Sequence, residues 1–239
     1  MEQEPIPFPV RINRYLALRG YATRRGAEEL ILRGAVTING RKAELADRVG
    51  AEDRVEITGA AMPSSDDFFY FAYYKPRGII THSPQAREKS IGDVACVPDG
   101  VFPVGRLDKE SEGLIILTDD GRVTDRLLNP RLGHEKEYEV TIQERIVPGV
   151  AARMREGITD RGELLRAKDV KVHGPHVMNI ILTEGKKHQI RRMLGGARLT
   201  VQALKRVRIM DVHLGNLKPG QTRALRGAAR ENFLRDIGL

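Results

Sequence analysis

The sequence predicts an α+β protein in two parts: a small N-terminal αβ module, then a larger domain with a mixed, mainly antiparallel sheet and flanking helices. Three observations support this prediction. The 239 residues correspond to between one and two domains of about 150 residues each. A short polar stretch without periodicity, AAMPSSDD, divides the chain. After that stretch, apolar runs typical of strands are interspersed irregularly with helical patterns, which argues against repeating βαβ units.

The N-terminal part begins with a flexible arm, residues 1–9, because its three prolines forbid a helix. Residues 10–58 then predict a compact module with two helices. The first, VRINRYLALRG, carries an apolar stripe at helical spacing and ends at Gly20. The second, TRRGAEELILRG, has Thr23 as its N-cap and Gly34 as its C-cap.

Strand signals follow in the module and continue through the larger domain. Asn39-Gly40 between short apolar runs predicts a hairpin, and VEI at 55–57 predicts a further strand. Residues 59–67 predict a linker, and residues 68–239 predict one domain. Its strands are expected at FFYFAYYK, VFPVGRL, GLIILT, EKEYEVTI, MNIILTE and LTVQALKRVRIMDV. Its helices are expected at RVTDRLLN, VPGVAARMREG, KKHQIRRMLGG and ALRGAARENFLRDIG.

The composition restricts the function classes. With 40 Lys and Arg against 32 Asp and Glu, the formal charge is +8, which favours a polyanionic partner such as nucleic acid. No run approaches the roughly 20 apolar residues of a membrane span, and the acidic, Pro-rich N-terminus is not a signal peptide. We therefore expect a cytoplasmic protein. A single Cys96 excludes an internal disulfide framework and a thiolate metal cluster.

Basic residues are concentrated in two blocks. Between Arg11 and Lys42, eight Lys or Arg stand against two acids, a net charge of +6 in 32 residues. Between Thr183 and Arg208, eight stand against one, a net charge of +7. The first block fits either a solvated helix face or phosphate binding that releases counterions. The occurrence of basic blocks in both parts of the chain favours an extended, structured nucleic acid as partner.

The segment VFPVGRLDKESEGLIILTDDG contains the clearest candidate for chemistry. Asp108 follows a predicted strand and comes two residues after Arg106, so a nearby cation keeps its carboxylate ionised. Such a carboxylate is able to act as a nucleophile, although a structural Arg–Asp pair in a turn explains the same spacing. The chain lacks Walker, GxGxxG and HExxH motifs, and His173 and His176 bracket a Gly-Pro turn, so no metal site is expected.

Two resemblances extend this interpretation. RINRYLALRGYATRRGAEELILRGAVTINGRKA resembles the small RNA-binding module of ribosomal protein S-four, although Gly26 stands where relatives usually have an acidic residue. VFPVGRLDKESEGLIILTDDG closely resembles the signature of pseudouridine synthases of the RsuA/RluB/RluE/RluF family, and YYKPRGIITH, HEKEYEV and LTEGKKHQIRRM agree with it in the family's order. HEKEY and RVRIMDV resemble the RluF branch most. The pairing of such a front module with this domain is also the family's arrangement.

The family resemblance implies roles for four residues. Asp108 is the essential aspartate, Arg106 precedes it within GRLD, and Arg191 pairs with it through a guanidinium group. Tyr138 matches the aromatic residue that lies against the target uracil. Without the resemblance, Tyr138 is equally an ordinary strand aromatic and Arg191 a phosphate contact. Contacts with RNA are expected from Arg14, Arg24, Arg25, Lys186, Lys187, Gln189, Arg192, Lys205 and Arg206.

The resemblance implies isomerisation of a specific uridine in ribosomal RNA, with the large-subunit (23S) RNA favoured. The uridine is flipped out of a folded stem-loop or a precursor particle, no metal or other cofactor is required, and we expect a monomer. Two rival functions stay open. One is an RNA-directed glycosidase, which needs a second carboxylate from Glu110, Glu112, Asp119 or Asp120. The other is a non-catalytic RNA-binding or ribosome-assembly factor.

Overall fold

The structure is a computed structural model that describes residues 8–59, 68–85 and 88–239. Most of the predicted arm at 1–9 and of the predicted linker at 59–67 therefore lies outside the described residues. Within the described ranges, no helix is long and apolar enough to cross a membrane. These ranges form a small N-terminal module and a larger domain built on one main sheet.

The N-terminal module contains two helices and several short strands, as the sequence predicts. Thr23 caps the second helix: its Oγ1 accepts a hydrogen bond from the Gly26 amide at 3.0 Å. Gly34 follows the C-cap, Arg33, and adopts a left-handed φ of 71°. The elements of the module are β1 (Val10–Arg11), α1 (Ile12–Leu18), α2 (Arg24–Leu32), β2 (Val36–Ile38), β3 (Arg41–Lys42), β4 (Arg48–Val49) and β5 (Val55–Ile57).

Strand pairing in the module changes one expected boundary. β1 pairs with β4, so the chain is extended through Arg11. The first helix therefore begins at Ile12, two residues after the start of the predicted stretch. β2 pairs with β3 across Asn39-Gly40, which confirms the predicted hairpin, and with β5 on its other side. The helices and strands share one buried core that includes Leu16.

The larger domain is a mixed sheet with flanking helices. Its elements are β6 (Tyr70–Lys75), α3 (Ile91–Val94), β7 (Phe102–Val104), β8 (Glu112–Thr118), α4 (Gly121–Leu128), β9 (Lys136–Ile142), α5 (Val150–Glu156), β10 (Ile158–Asp160), β11 (Glu163–Leu165), β12 (Asp169–Val172), β13 (Val177–Leu182), α6 (Gln189–Gly196), β14 (Val201–Ile209), β15 (Val212–His213), β16 (Thr222–Ala224) and α7 (Ala228–Asp236). The spatial order is β12-β13-β9-β14-β8-β6-β16, with β15 beside β14 and β7 beside β8. Among these described strands only β8 and β14 pair in parallel, which confirms the predicted fold class.

Three predicted elements have different limits in the structure. The strand expected at VFPVGRL ends at Val104, because Gly105 adopts a left-handed φ of 78° and turns the chain out of the sheet. The helix expected at ALRGAARENFLRDIG begins only at Ala228, since its first residue still belongs to β16, which pairs with β6. The helix expected at KKHQIRRMLGG begins at Gln189, after His188 in a left-handed conformation.

The module contacts the larger domain through α1 and α4. Gly121, the first residue of α4, permits this close approach, because a Cβ at that position would lie 3.2 Å from the Ala17 Cβ. Arg14 Nη2 also donates to Asp125 Oδ1 of α4 at 3.1 Å. The first basic helix of the module is therefore held against the domain that carries the GRLD motif.

Candidate active site

Asp108 lies in the loop between β7 and β8, where hydrogen bonds anchor the backbone on both sides of it. The Thr81 hydroxyl donates to the Leu107 carbonyl at 2.8 Å and accepts from the Leu107 amide at 3.0 Å. The Ser111 amide donates to the Asp108 carbonyl at 3.0 Å and closes a turn. The Asp108 side chain is thus presented from a rigid loop.

A buried lysine supports this loop. Lys75, the last residue of β6, has no exposed surface, and its Nζ donates to the Ser111 carbonyl at 2.7 Å and to the Pro76 carbonyl at 2.9 Å. Burial lowers the pKa of Lys75 to about 8, although nearby carboxylates, Asp108 foremost, act in the opposite direction. Lys75 belongs to the YYKPRGIITH stretch, but no pattern in the sequence indicates its role.

The loop forms one side of a cleft of about 420 Å³. All four of the predicted catalytic residues line it: Arg106, Asp108, Tyr138 and Arg191. Tyr138 projects from β9 and is only 8% exposed, whereas 41% of the Asp108 side chain is exposed. The structure therefore combines a reachable carboxylate with a buried aromatic ring, although these residues come from three separate stretches of the sequence.

The carboxylate of Asp108 contacts a histidine rather than the arginine that the resemblance suggests. His188 Nδ1 lies 3.1 Å from Asp108 Oδ2, and within the described ranges no ion pair joins Asp108 to Arg191. The pairing with Arg191 that the resemblance implies is therefore not formed in this structure and stays a prediction, while His188 contacts one oxygen of the carboxylate. His188 was not predicted as a site residue, although it lies in the stretch LTEGKKHQIRRM, three residues before Arg191.

Gln189 has an internal role and is not available to RNA as predicted. It is 3% exposed. Its Oε1 accepts from the Lys186 amide at 3.1 Å, and its Nε2 donates to Glu184 Oε1 at 2.7 Å and to the Arg166 carbonyl at 3.2 Å. These bonds fix the segment before α6 to Glu184 and to the backbone of Arg166. They also supply hydrogen-bond partners for side-chain polar atoms that are buried away from water.

Two further predicted RNA contacts are also corrected. Arg206 is 4% exposed, and its Nε donates to the Leu114 carbonyl at 2.6 Å, so its guanidinium lies inside the sheet. Arg192 pairs with Asp160 at 2.6 Å and with Glu163 at 2.7 Å. These acids belong to the β10–β11 hairpin, whose short strands sequence analysis did not predict. Neither arginine is free to neutralise a phosphate in this structure.

The remaining predicted RNA contacts divide into paired and unpaired side chains. Arg25 and Lys187 are exposed and form no ion pair with a carboxylate of the described residues. The others contact acidic groups: Arg14 and Arg24 with Asp125 at 3.1 and 3.8 Å, Lys205 with Glu139 at 2.6 Å, and Lys186 with Glu184 at 3.4 Å and Glu163 at 3.5 Å.

The pKa of His82 is affected both by the N-terminal module and by the GRLD loop. Burial is the main cause that lowers the pKa of His82, and the charges of Arg106 and Arg25 lower it further, while a hydrogen bond to the Gly105 backbone acts in the opposite direction. A cation of the N-terminal module and a cation of the GRLD loop therefore both act on the charge of His82.

In the parts of the chain that the structure describes, no group of three or more His, Cys, Asp and Glu side chains is arranged to bind a metal ion. The cleft is instead lined by apolar side chains, a tyrosine, several cations and the Asp108 carboxylate. This lining suits an organic ring that is attached to a negatively charged chain.

The fold and the cleft together define the class of protein: an α+β enzyme domain with a reachable aspartate, preceded by a small basic module. The family model described as RNA pseudouridylate synthase matches residues 69–195, more than half of the chain, and the S4 domain model matches residues 10–55. The chain belongs to the RNA pseudouridylate synthase family, and its enzymatic class is therefore that of an isomerase.

Individual relatives agree with this assignment. The dual-specificity RNA pseudouridine synthase RluF of Salmonella typhi is 36% identical over 217 residues, which cover 90% of this chain and 75% of the relative. An RNA pseudouridine synthase of Aquifex aeolicus, itself uncharacterized, is 34% identical over 239 residues, 96% of each chain. A solved pseudouridylate synthase structure superposes with a TM-score of 0.68 at 27% identity and covers 95% of this chain and 99% of that one. The family predicted from the sequence motifs is confirmed.

Proposed function

We propose that this protein isomerises one specific uridine of ribosomal RNA to pseudouridine, with Asp108 as the nucleophile. The observation that supports this most directly is the presence of Asp108, Tyr138 and Arg191 in one cleft of about 420 Å³. Such a volume is typical of sites that enclose small organic groups. A single nucleotide flipped out of a folded RNA is a group of this kind.

The proposed reaction replaces one bond between ribose and base by another. Attack by the Asp108 carboxylate on the nucleoside leads to cleavage of the bond between ribose C1′ and uracil N1. The freed base turns within the cleft until its C5 faces C1′, and the C1′–C5 bond forms. The carboxylate is released, the C5 proton goes to solvent, and N1 takes up a proton. Atoms and electrons balance without an oxidant or a reductant.

The other cleft residues have roles that follow from their side chains. The ring of Tyr138 offers a face on which uracil stacks, and such stacking does not depend on the identity of the base. The permanent charge of Arg191 stabilises negative charge on the carboxylate or on a nearby phosphate. Arg106 and Lys187 are exposed beside the cleft and suit the phosphates that flank the flipped uridine.

The cleft favours isomerisation over an RNA-directed glycosidase. A glycosidase normally requires two carboxyl groups that flank the scissile bond. Among the described residues that line the cleft, Asp108 is the single acidic one. The four neighbouring acids bond to other groups: Glu110 to Arg77, Glu112 to the Tyr74 hydroxyl, Asp119 to the Phe69 amide, and Asp120 to Arg122.

The resemblance to the RluF branch supports 23S RNA as the substrate, taken as a folded stem-loop or a precursor particle. The net positive charge of the S4 domain supports a substrate that extends beyond the flipped nucleotide. We place the protein in the cytoplasm, where ribosomal RNA is modified, and expect it to act as a monomer without a cofactor. Mapping pseudouridine across ribosomal RNA with and without the gene identifies the target nucleotide.

The central prediction concerns Asp108→Asn. Asn keeps the shape of the side chain but cannot act as an anionic nucleophile, so turnover should fall below about a tenth of the wild-type rate while RNA binding is retained. The measurement is tritium release from ribosomal RNA labelled at uracil C5, together with a filter-binding affinity.

Glu110→Gln is the matched control, because Glu110 is exposed on the same loop and pairs with Arg77 outside the cleft. This variant should retain wild-type turnover. If Asp108→Asn retained turnover as well, Asp108 would not be the nucleophile. Free uracil released by the wild-type protein would instead identify a glycosidase, and RNA binding without either product would identify a non-catalytic factor.

A further inference from the structure

The ring of His188 and the carboxylate of Asp108 meet at the edge of the cleft. His188 Nδ1 lies 3.1 Å from Asp108 Oδ2, and the two side chains are 45% and 41% exposed. Both the imidazolium and the neutral tautomer with a hydrogen on Nδ1 donate in this geometry. Among the described residues, no side chain or amide donates to Asp108 Oδ1, so the histidine orients the carboxylate through one oxygen and leaves the other available.

The backbone at His188 is held in a conformation that side-chain-bearing residues seldom adopt. Its φ of 52° and ψ of 28° place it in the left-handed region, one residue before α6. Such a conformation is unfavourable for residues with a Cβ and persists where the surrounding structure enforces it. The conformation matters here because it directs the ring out of the helix start and towards the GRLD loop.

Buried Gln189 enforces this conformation. Its amide nitrogen donates to the Lys186 carbonyl at 3.1 Å, and its side chain accepts from the Lys186 amide and donates to Glu184 and to the Arg166 carbonyl. Residues 186–189 are therefore closed into a tight turn on a buried anchor. The ring of His188 does not depend on a flexible loop for its position.

Two other roles would place a histidine at the start of a helix. It could be an ordinary surface residue, or it could contact an RNA phosphate together with the cations Lys187 and Arg191 that adjoin it in the cleft. The left-handed backbone alone does not decide between these roles, since exposed Arg161 has the same φ of 52°. The contact with the cleft carboxylate does, because neither a surface residue nor a phosphate contact requires it. The geometry fits a group that acts on Asp108.

We propose that His188 is a positioning residue for the isomerisation: its ring holds Asp108 Oδ2 so that Oδ1 faces the flipped uridine. This inference rests on the proposed function, since it gives Asp108 the role of nucleophile. It assigns no proton transfer to His188. Its contribution is to orient the carboxylate. The rate of a reaction between two groups bound in one site depends strongly on their relative orientation.

The test is His188→Gly in the full-length protein. Glycine adopts the left-handed backbone without strain, so the turn should persist while the ring is lost. The single-turnover rate at saturating RNA should fall by about tenfold or more, because a freely rotating carboxylate reacts less often in the productive geometry. The affinity for RNA should stay unchanged. Added imidazole should restore part of the rate, since it can occupy the space of the missing ring.

Two variants complete the design. His188→Asn should keep more activity than His188→Gly, because asparagine tolerates the left-handed backbone and its amide can donate to the carboxylate. Arg161→Gly is the matched backbone control: Arg161 has a φ of 52°, is exposed, and lies in the β10–β11 turn outside the cleft. It should leave the rate unchanged, and thermal unfolding of every variant reports any loss of folding.

The possible results separate the proposals. A weaker affinity with an unchanged saturating rate would make His188 an RNA contact and overturn the positioning role. An unchanged rate in His188→Gly, or a lost rate that neither imidazole nor asparagine restores, would also overturn it. Wild-type protein that forms no pseudouridine in ribosomal RNA would instead contradict the proposed function, and the positioning role with it.

Discussion

At the scale of single residues, Lys75 is a buried cationic side chain that supports the loop carrying Asp108. The ammonium group is buried and bonded to two backbone carbonyls, one of which belongs to Ser111 at the end of the turn that Asp108 begins. The bonds compensate in part for the loss of water. The lowered pKa of about 8 shows that burial still disfavours the charged form. The loop that carries Asp108 is therefore supported by a lysine whose charge costs folding free energy.

This lowered pKa predicts how stability changes with pH. The pKa of Lys75 is about 8 in the folded protein and 10.5 ordinarily, so between these values the unfolded chain binds more protons than the folded one. The free energy of unfolding should therefore rise with pH across this window. Relative to Lys75→Met, the wild-type protein should gain up to about 3 kcal/mol between pH 8 and pH 10.5.

Urea unfolding of both proteins at several pH values measures this gain. Lys136 has a pKa lowered to about 8 as well, mainly by burial, but it is present in both proteins and its contribution cancels in the difference. Two curves that stay parallel from pH 7 to pH 10.5 would show that the Lys75 ammonium is not destabilised by burial.

At the scale of elements, the parallel contact between β8 and β14 depends on one glycine. Gly113 has a φ of 107°, and a Cβ there would overlap the Arg206 carbonyl and lie 2.7 Å from the Arg206 nitrogen. Both atoms are backbone and cannot move aside without separating the strands. The glycine that follows GRLDKESE in the sequence is therefore required by the register of the sheet next to the Asp108 loop.

Gly113→Ala should accordingly destabilise the protein by about 3 kcal/mol or more, because it combines backbone strain with overlap between strands. Gly174→Ala is the control, since Gly174 has no atoms within 4 Å of the added Cβ and should change stability by no more than about 0.5 kcal/mol. Urea unfolding compares the two variants. Equal stabilities would mean that β8 and β14 are not held as closely as the structure shows.

At the scale of the whole molecule, the cations of the S4 domain serve two purposes. Arg14 pairs with Asp125 and helps to hold α1 against α4. Arg25 is exposed, and its charge acts on His82 near the GRLD loop. The first contact joins the module to the larger domain, and the second leaves an exposed positive charge that no carboxylate of the described residues neutralises. A basic residue count alone does not distinguish these purposes.

This division predicts different salt dependences for two variants. Arg25→Ala should weaken RNA binding and reduce the slope of log affinity against log salt by about 0.7 to 0.9, the effect of one lost phosphate contact. Arg14→Ala should change the slope much less, because Asp125 already neutralises that charge. Binding measured across a salt series tests both. Equal slopes for wild type and Arg25→Ala would remove Arg25 from the RNA contacts.

The amino-acid sequence by itself determined the class of fold and the family. These features depend on local patterns: Thr23 before a helix, Asn39-Gly40 between strands, and the GRLD segment with its three companion stretches. Each pattern either specifies a local conformation through residues close together in the chain, or marks a position where the chemistry requires a particular residue type. Such information is present in the sequence before the chain folds.

Only the tertiary structure decided which polar side chains stay exposed and which bond within the protein. Arg192 bonds to a hairpin some 30 residues away, and Arg206 to a carbonyl 92 residues away. Gln189 is a buried anchor, and His188, which no local pattern marked, reaches Asp108 across 80 positions. The physical reason is that these partners are set by strand register and loop packing. The residue type determines which hydrogen bonds and ion pairs a side chain is able to form. The fold determines which partner groups lie within reach of it.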